Sequence, residues 1–397
     1  MSGLLKPTRF TDTSMNAGLV ASLMFGAIFL LGSCQEKADS RQKADGANDW
    51  ALGPFVKQDS VNPVLSPGTL RFDDPIRGRS VGWEEQFVYN PAAVVKDGKV
   101  FLLYRAEDSI GKHNGTSRIG LAVSDDGLHF TRREQPVLYP DKDSLQRYEW
   151  EGGCEDPRIA EDEDGTYYMT YTAYDGTTAR LFIATSKDLI HWQKHGSVFK
   201  HVRNGEFKDK WSKAGSILCR REGERMIATR VNGKYWMYWG ESNIYAAQSD
   251  DLINWYPVEE TDPAMKRYDT LRQYEAFKAV FSPREGMFDS YLVEPGPQAL
   301  LTEKGILFIY NSRNDPERGD KSLAPGTYAA GQVLIDRNDP LKVIDRTEKY
   351  FIAPDKPYEI TGNVNNVCFL EGLVYFKNKW FLYYGTADSK IAVAVAE

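Results

Sequence analysis

One phrase recurs along this chain and limits what it can fold into. Ile119-Gly-Leu-Ala-Val-Ser-Asp-Asp-Gly-Leu-His-Phe130 returns as Leu181-Phe-Ile-Ala-Thr-Ser-Lys-Asp-Leu-Ile-His-Trp192 and as Ile244-Tyr-Ala-Ala-Gln-Ser-Asp-Asp-Leu-Ile-Asn-Trp255. Shorter copies are Tyr328-Ala-Ala-Gly-Gln-Val-Leu-Ile335 and Ile391-Ala-Val-Ala-Val395. Each of the first three is a small-residue strand, a Ser-x-Asp turn and an aromatic residue. The Asp side chain can accept from turn amides while the ring packs below it. A second phrase precedes each copy and reads as a strand: Val100–Arg105, Tyr167–Tyr171, Tyr235–Trp239, Ile306–Tyr310 and Trp380–Tyr384. A third phrase opens each unit: Asn90-Pro, Asp156-Pro-Arg158, Ala214-Gly, Glu294-Pro and Asn365-Asn366. Repeated units of three to four strands predict an all-β fold, a five-bladed β-propeller.

The last copy ends at Glu397 with no further strand after it. Near the N-terminus, Asn62-Pro-Val-Leu-Ser-Pro67 repeats the text of Gln135-Pro-Val-Leu-Tyr-Pro140, an outer strand. It is expected to join the last blade, close the ring and remove an exposed edge. An insertion between Thr261 and Lys278, with Tyr268, Tyr274 and Phe277, is either helical and placed over the site or a plain surface loop.

The first 53 residues read differently. Lys6 and Arg9 precede an apolar run, Ala17 to Leu31, that suits a signal peptide better than a membrane span. Leu31-Gly32-Ser33-Cys34 has the form of a bacterial lipobox, so Cys34 is the expected lipidation site. The expected organisation is a lipoprotein signal peptide over 1–33, a polar tether over 34–53 and the propeller over 54–397. The protein is then membrane-anchored through lipid alone, in the periplasm or on the cell surface. Cys154, Cys219 and Cys368 match no zinc spacing and read as small buried residues. No metal or other cofactor is expected. A net charge of −7, without a basic stripe, argues against a nucleic-acid partner.

In a propeller the opening phrases converge on one channel, bringing Asn90, Asp156, Glu294 and Asn365 or Asn366 together. Residues just after the second strands form another ring: Arg105, Asp175, Glu241, Arg313 and Asp388. Converging ionisable groups perturb one another, as at catalytic sites. Carboxylates and arginines without a metal or phosphate motif favour glycoside cleavage, which needs a carboxylic acid at the leaving oxygen and a carboxylate to activate water. A salt-bridged channel without activity is the plain alternative.

Several motifs match in order: Asn90-Pro-Ala-Ala, Leu103-Tyr-Arg105, Gly120-Leu-Ala-Val-Ser-Asp-Asp-Gly127, Glu155-Asp-Pro-Arg158, Ser186-Lys-Asp-Leu-Ile-His-Trp192 and Tyr383-Tyr-Gly-Thr-Ala-Asp388. From about Pro54 to Glu397 the chain resembles glycoside hydrolase family 130, the β-mannoside phosphorylases and β-1,2-mannosidases. The resemblance implies that Asp156 is the general acid, passing its proton through a mannose hydroxyl. It implies that Asn90, Arg105 and Asp388 hold the terminal mannose, with Arg158 and Tyr171 as further contacts. The family's phosphorylases carry a Tyr-His-Gly run where this chain has Ile309-Tyr-Asn-Ser-Arg313. Glu241 and Glu294 resemble the pair of the hydrolase branch. The expected activity is therefore inverting hydrolysis of terminal β-mannosides. A β-1,2 linkage is favoured, β-1,4 stays open, and Glu241 or Glu294 serves as base. The alternatives are a β-mannoside phosphorylase releasing mannose 1-phosphate, for which Arg313 and Arg318 speak, and a non-catalytic glycan-binding propeller.

Overall fold

The computed structural model describes residues 48–269, 272 and 274–397. Cys34, the leader and the tether up to residue 47 lie outside the described residues. The fold is all-β, with short helical turns at Gln146–Glu149, Val202–Asp209 and Pro357–Ile360.

Most of the described strands pair antiparallel in five sets of four or five. The first set is Phe87–Lys96, Lys99–Glu107, Ser117–Ser124 and Thr131–Arg132. The second is Gly153–Glu161, Tyr167–Tyr174, Ala179–Ser186 and Gln193–Ser197. The third, Gly215–Glu222, Lys234–Trp239, Ile244–Ser249 and Trp255–Pro257, also takes in a short strand between its first two, Arg225–Ala228. The fourth opens with Leu292–Pro295 and Ala299–Leu301, then Ile306–Arg313, Tyr328–Ile335 and Val343–Arg346. The fifth is Cys368–Phe376, Lys379–Thr386, Lys390–Ala396 and, from the other end of the chain, Val56–Lys57.

The strand expected at Asn62–Pro67 is thus found earlier, at Val56–Lys57. Leu65 makes only an isolated bridge to Ile391. Pro63 and Pro67 have no N–H to give to a ladder, so this stretch cannot pair along its length. The end of the expected tether is also held down: Trp50 Nε1 donates to Asp345 Oδ2 at 2.8 Å, and Leu52 N to Gln332 Oε1 at 2.9 Å.

The three Ser-x-Asp turns form as the repeat predicts. Asp126, Asp188 and Asp251 each accept from two amides further along the turn. The rings of Trp192 and Trp255 donate to the carbonyls of Leu189 and Leu252. The described residues of the insertion 261–278 form no helix. The insertion carries a short hairpin, Tyr268–Asp269 with Tyr274–Glu275, and buries Tyr274 and Phe277 against Phe207.

A less visible repeat holds the second strands. In four sets a tyrosine there donates its hydroxyl to a fully buried carboxylate, and that carboxylate also pairs with a cation from the set's fourth strand. The trios are Tyr104, Glu84 and Arg132; Tyr171, Glu149 and Lys194; Tyr310, Asp289 and Arg346; and Tyr384, Glu359 and Lys57. In the third set Tyr238 donates to the Pro340 carbonyl instead. Lys57 therefore anchors the N-terminal strand in the same way as the cations contributed by the other fourth strands.

Removing one partner of a buried ion pair strands the other in a poorly solvating interior. Lys57→Met is expected to lower unfolding stability by roughly 3 kcal/mol in denaturant titrations. Lys57→Met with Glu359→Gln should recover most of that loss, because no lone buried charge remains. Equal destabilisation by both variants would contradict the latch.

Candidate active site

Two strand irregularities set the site up. The pairing slips between Tyr89 and Pro91 and between Glu155 and Arg158, so Asn90 and Asp156 sit in bulges. Both take left-handed backbone angles, φ 47° and 50°. Asn and Asp tolerate this conformation better than most residues, and a bulge re-aims the side chain. Asn90 Nδ2 donates to Asp156 Oδ1 at 3.0 Å. The buried Asn90 Oδ1 accepts no hydrogen bond among the described residues, so it can receive a ligand hydroxyl.

Arg105 is the first cationic hub. It lies 3.2 Å from Asp156 Oδ1, 3.0 Å from Glu155 Oε1 and 2.5 Å from Glu107 Oε1, and its guanidinium stacks on Tyr89. Lys213 is the second, with Nζ 3.4 Å from Asp156 Oδ2. Burial opposes the charge of Lys213, but Asp156, Glu294, Glu241 and Glu155 outweigh it and hold the ammonium well above its ordinary range. Repeat reasoning missed Lys213, which stands just before Ala214, the left-handed residue that opens the third set.

The carboxylates differ in kind. Burial alone would raise Asp156, but Arg105, Lys213 and the Asn90 hydrogen bond hold it well below the usual range. Burial, aided by Asp156 and resisted by Arg105, pushes Glu155 up to about 7. Burial, aided by Glu241 and resisted by Lys213, pushes Glu294 up to about 7. Asp388, again through burial, rises to about 6, with Arg105 resisting and Asp156 adding to the shift. Glu241 is held differently, by Trp211 Nε1 at 3.0 Å and by Arg272, whose Nη2 donates to the Glu241 carbonyl at 2.8 Å. Arg272 comes from the insertion, between the two strands of its hairpin, so the insertion reaches the site.

Asn90, Arg105, Asp156, Glu241, Glu294 and Asp388 accordingly gather around Lys213 and Arg105. Other expected members do not. Tyr171 is wholly buried and belongs to the latch with Glu149, so it cannot touch a ligand. Arg158 is also buried. It donates to the carbonyls of Pro295 and Gly296 and pairs with Glu371 at 2.8 Å, bracing the strand of Glu294 from behind. Asn365 is exposed and caps Gly362 in its own loop. Asp175 pairs with Arg180 and caps the next turn.

Counting from the latch tyrosine explains these outcomes. Three residues past Tyr104, Tyr171, Tyr238, Tyr310 and Tyr384 stand Glu107, Tyr174, Glu241, Arg313 and Ala387. Glu241 and Arg313 share this level, whereas Arg105 follows its tyrosine directly and Asp175 and Asp388 lie one step further on. The expected ring mixed three levels.

The protonation balance has a testable sign. Folded Glu294 keeps its proton from about pH 4.5 to about pH 7, where the unfolded chain loses it, so stability falls as pH rises through that window. Glu294→Gln removes this cost. Its melting temperature should exceed that of the unaltered protein at pH 8, by an equivalent of roughly 1–3 kcal/mol, and the gain should vanish below about pH 4.5. A gain independent of pH would show that Glu294 is not protonated by burial.

Comparison with known proteins bears on this geometry. Residues 57–397 match the family model described as β-1,4-mannooligosaccharide phosphorylase, glycoside hydrolase family 130. A 1,2-β-oligomannan phosphorylase from Thermoanaerobacter sp. (strain X514) is 32% identical over 86% of this chain and 97% of its own length. The solved structure of a glycosyl hydrolase from Bacteroides ovatus is 46% identical, covering 88% of this chain and 95% of that one, with a TM-score of 0.83. Another solved structure is presented as showing that this family of mannoside phosphorylases contains glycoside hydrolases that target β-1,2 mannosidic linkages in Candida mannan. It is 44% identical, covers 89% of this chain and 96% of that one, and has a TM-score of 0.82.

Proposed function

The chain belongs to glycoside hydrolase family 130, and from that premise we propose that it removes the terminal mannose of β-mannosides, β-1,2-linked ones first, by single displacement onto water. The observation that carries this reading is the pair Glu241 and Glu294 beside Lys213, whose ammonium is already engaged by Asp156. Carboxylates on that side oppose the approach of a phosphate dianion and can take a proton from water. A carboxyl near 7, as on Glu294, is poised for that exchange at neutral pH.

Asn90, Arg105 and Asp388 hold the mannose, with Asn90 Oδ1 as an acceptor already in place. Asp156 starts as a carboxylate pinned by Arg105 and Lys213. Sugar hydroxyls that draw Arg105 towards themselves weaken its hold on Asp156, which then takes up from solvent the proton it delivers through a mannose hydroxyl. Water then attacks from the side of Glu241 and Glu294, and the product is mannose of inverted configuration.

The other acceptor, phosphate, is the second reading. By name, the curated relatives back it better than they back water, as with the oligomannan phosphorylase above. Arg313 adds an observation of its own. Its guanidinium lies between the rings of Tyr291 and Tyr328, 5.0 Å and 5.8 Å away, and makes no ion pair among the described residues. Hydrolysis remains the main reading because the two glutamates stand on the same side.

Two further elements complete the proposal. The five strand sets are read as propeller blades, which the fivefold recurrence of the strand phrases and the pairing of Val56–Lys57 with the last strand support. Cys34 is read as a lipidated residue that tethers the enzyme to a membrane, which Leu31-Gly32-Ser33-Cys34 supports.

Product analysis on β-1,2-mannobiose, with and without inorganic phosphate, decides the acceptor. Mannose alone is expected under both conditions. Mannose 1-phosphate as the main product would replace this reading with phosphorolysis. Asp156→Asn should lower kcat by about 10²–10⁴-fold, the usual worth of a positioned acid. Unchanged turnover would remove Asp156 from the chemistry, and sugar binding without any turnover in the unaltered protein would leave only a glycan-binding role.

A further inference from the structure

Single displacement needs the leaving group and the water on opposite faces of the sugar. Two phenols mark the two sides of this site. Tyr328 pairs with Arg313 in the fourth set, and the charges that act on it are Glu294, Arg313, Asp388 and Glu241. Tyr174 pairs with Gly153, on the strand that carries Asp156, and the charges that act on it are Glu155, Asp175, Lys213 and Arg105. Tyr328 therefore belongs to the set that carries Glu294, and Tyr174 to the set that carries the acid.

Tyr174 is half-buried, and the exposed ring of His113 lies over it, with centroids 6.3 Å apart. Glycines make room for both rings. A Cβ on Gly176 would come within 2.0 Å of His113 Nε2, and one on Gly152 within 2.3 Å of Tyr174 Cδ1. The loop of His113 joins the second and third strands of the first set. Buried Asp108 anchors it at both ends, accepting from Ile110 N at 3.1 Å and Thr116 N at 2.9 Å, and Arg118 holds Asp108 in turn at 2.9 Å. The result is an aromatic step on the strand paired with that of Asp156, with an imidazole and a phenol at its surface. Such groups suit a neutral sugar: a ring face for C–H contact and polar edges for hydroxyls.

We propose that Tyr174 and His113 hold the leaving sugar and so determine which aglycone the enzyme releases. This rests on the mannoside-cleaving reading above and adds to it the side on which the second sugar lies. The test compares β-1,2-mannobiose with β-mannosyl fluoride, whose leaving group carries no sugar. His113→Ala and Tyr174→Phe should each lower kcat/KM on mannobiose about tenfold, the worth of one hydrogen bond or ring contact of roughly 1.4 kcal/mol. Both should keep kcat/KM on the fluoride within about twofold. His113 is exposed, so its replacement leaves folding intact and keeps the test valid if Tyr174→Phe is damaged. Equal losses on both substrates, or no loss on either, would overturn the assignment. No turnover of either substrate by the unaltered protein would instead remove the mannoside reading, which is a separate result.

Discussion

A tyrosine hydroxyl donated to a buried carboxylate is the contact on which the rest of this fold depends. A carboxylate taken out of water is stable only if it is paired and hydrogen-bonded, and here each of four finds both partners at once. The tyrosine comes from a set's second strand and the cation from its fourth, so the trio spans the sheet and ties it to the segment ahead of the first strand. A hydrogen bond to a charged group contributes about 1.5–3 kcal/mol. Its larger effect is on register, because a strand cannot slip without stranding a charge. Three residues beyond the latch the second strands of the first, second and fourth sets end, at Glu107, Tyr174 and Arg313. The latch thereby sets the height at which the site's side chains emerge.

Lys213 then decides what those side chains can be. One buried ammonium faces Asp156, Glu155, Glu241 and Glu294. Without it the four carboxylates would repel one another and take up protons. With it Asp156 stays ionised, while Glu155 and Glu294, less well compensated, sit near 7. Arg105 divides its charge in the same way among Glu107, Glu155 and Asp156. The site thus holds carboxyl groups of different strength within one cluster, which is what acid–base work on a glycosidic bond requires.

Much of this was legible in the chain because it was written as repeats. The Ser-x-Asp turns, the strand phrases and the opening positions of Asn90, Asp156 and Glu294 each recur with a fixed partner, and the structure gathers those three. What failed had no copy to be checked against. Lys213 and Arg272 occur once each, and nothing local distinguishes them from surface cations. Tyr171, expected as a mannose contact, is a latch residue, because Tyr104, Tyr310 and Tyr384 hold the same place in their strands and donate to buried carboxylates as it does. Arg158 was misread because an arginine beside a catalytic carboxylate can brace the backbone as easily as it can face a ligand, and only the carbonyls of Pro295 and Gly296 tell the two apart. The partner strand of the last set was misplaced because textual likeness to residues 135–140 outweighed the two prolines in it.

The two residues that meet at the centre of the site both carry a left-handed backbone. Asn90 and Asp156 hold left-handed angles that cost an L-residue about 1 kcal/mol or more, and each is followed by a proline that further narrows its choices. An extended strand would alternate its side chains between the two faces of the sheet, and neither residue would then reach the other. The bulge breaks that alternation at one point, turns both side chains out of the sheet plane and brings Asn90 Nδ2 to 3.0 Å from Asp156 Oδ1. Glycine would remove the strain, and with it the amide and the carboxylate. The strain persists because strands latched on either side of it leave no slack through which it could relax, so the rigidity that the buried carboxylates give the sheets is what holds the acid in place.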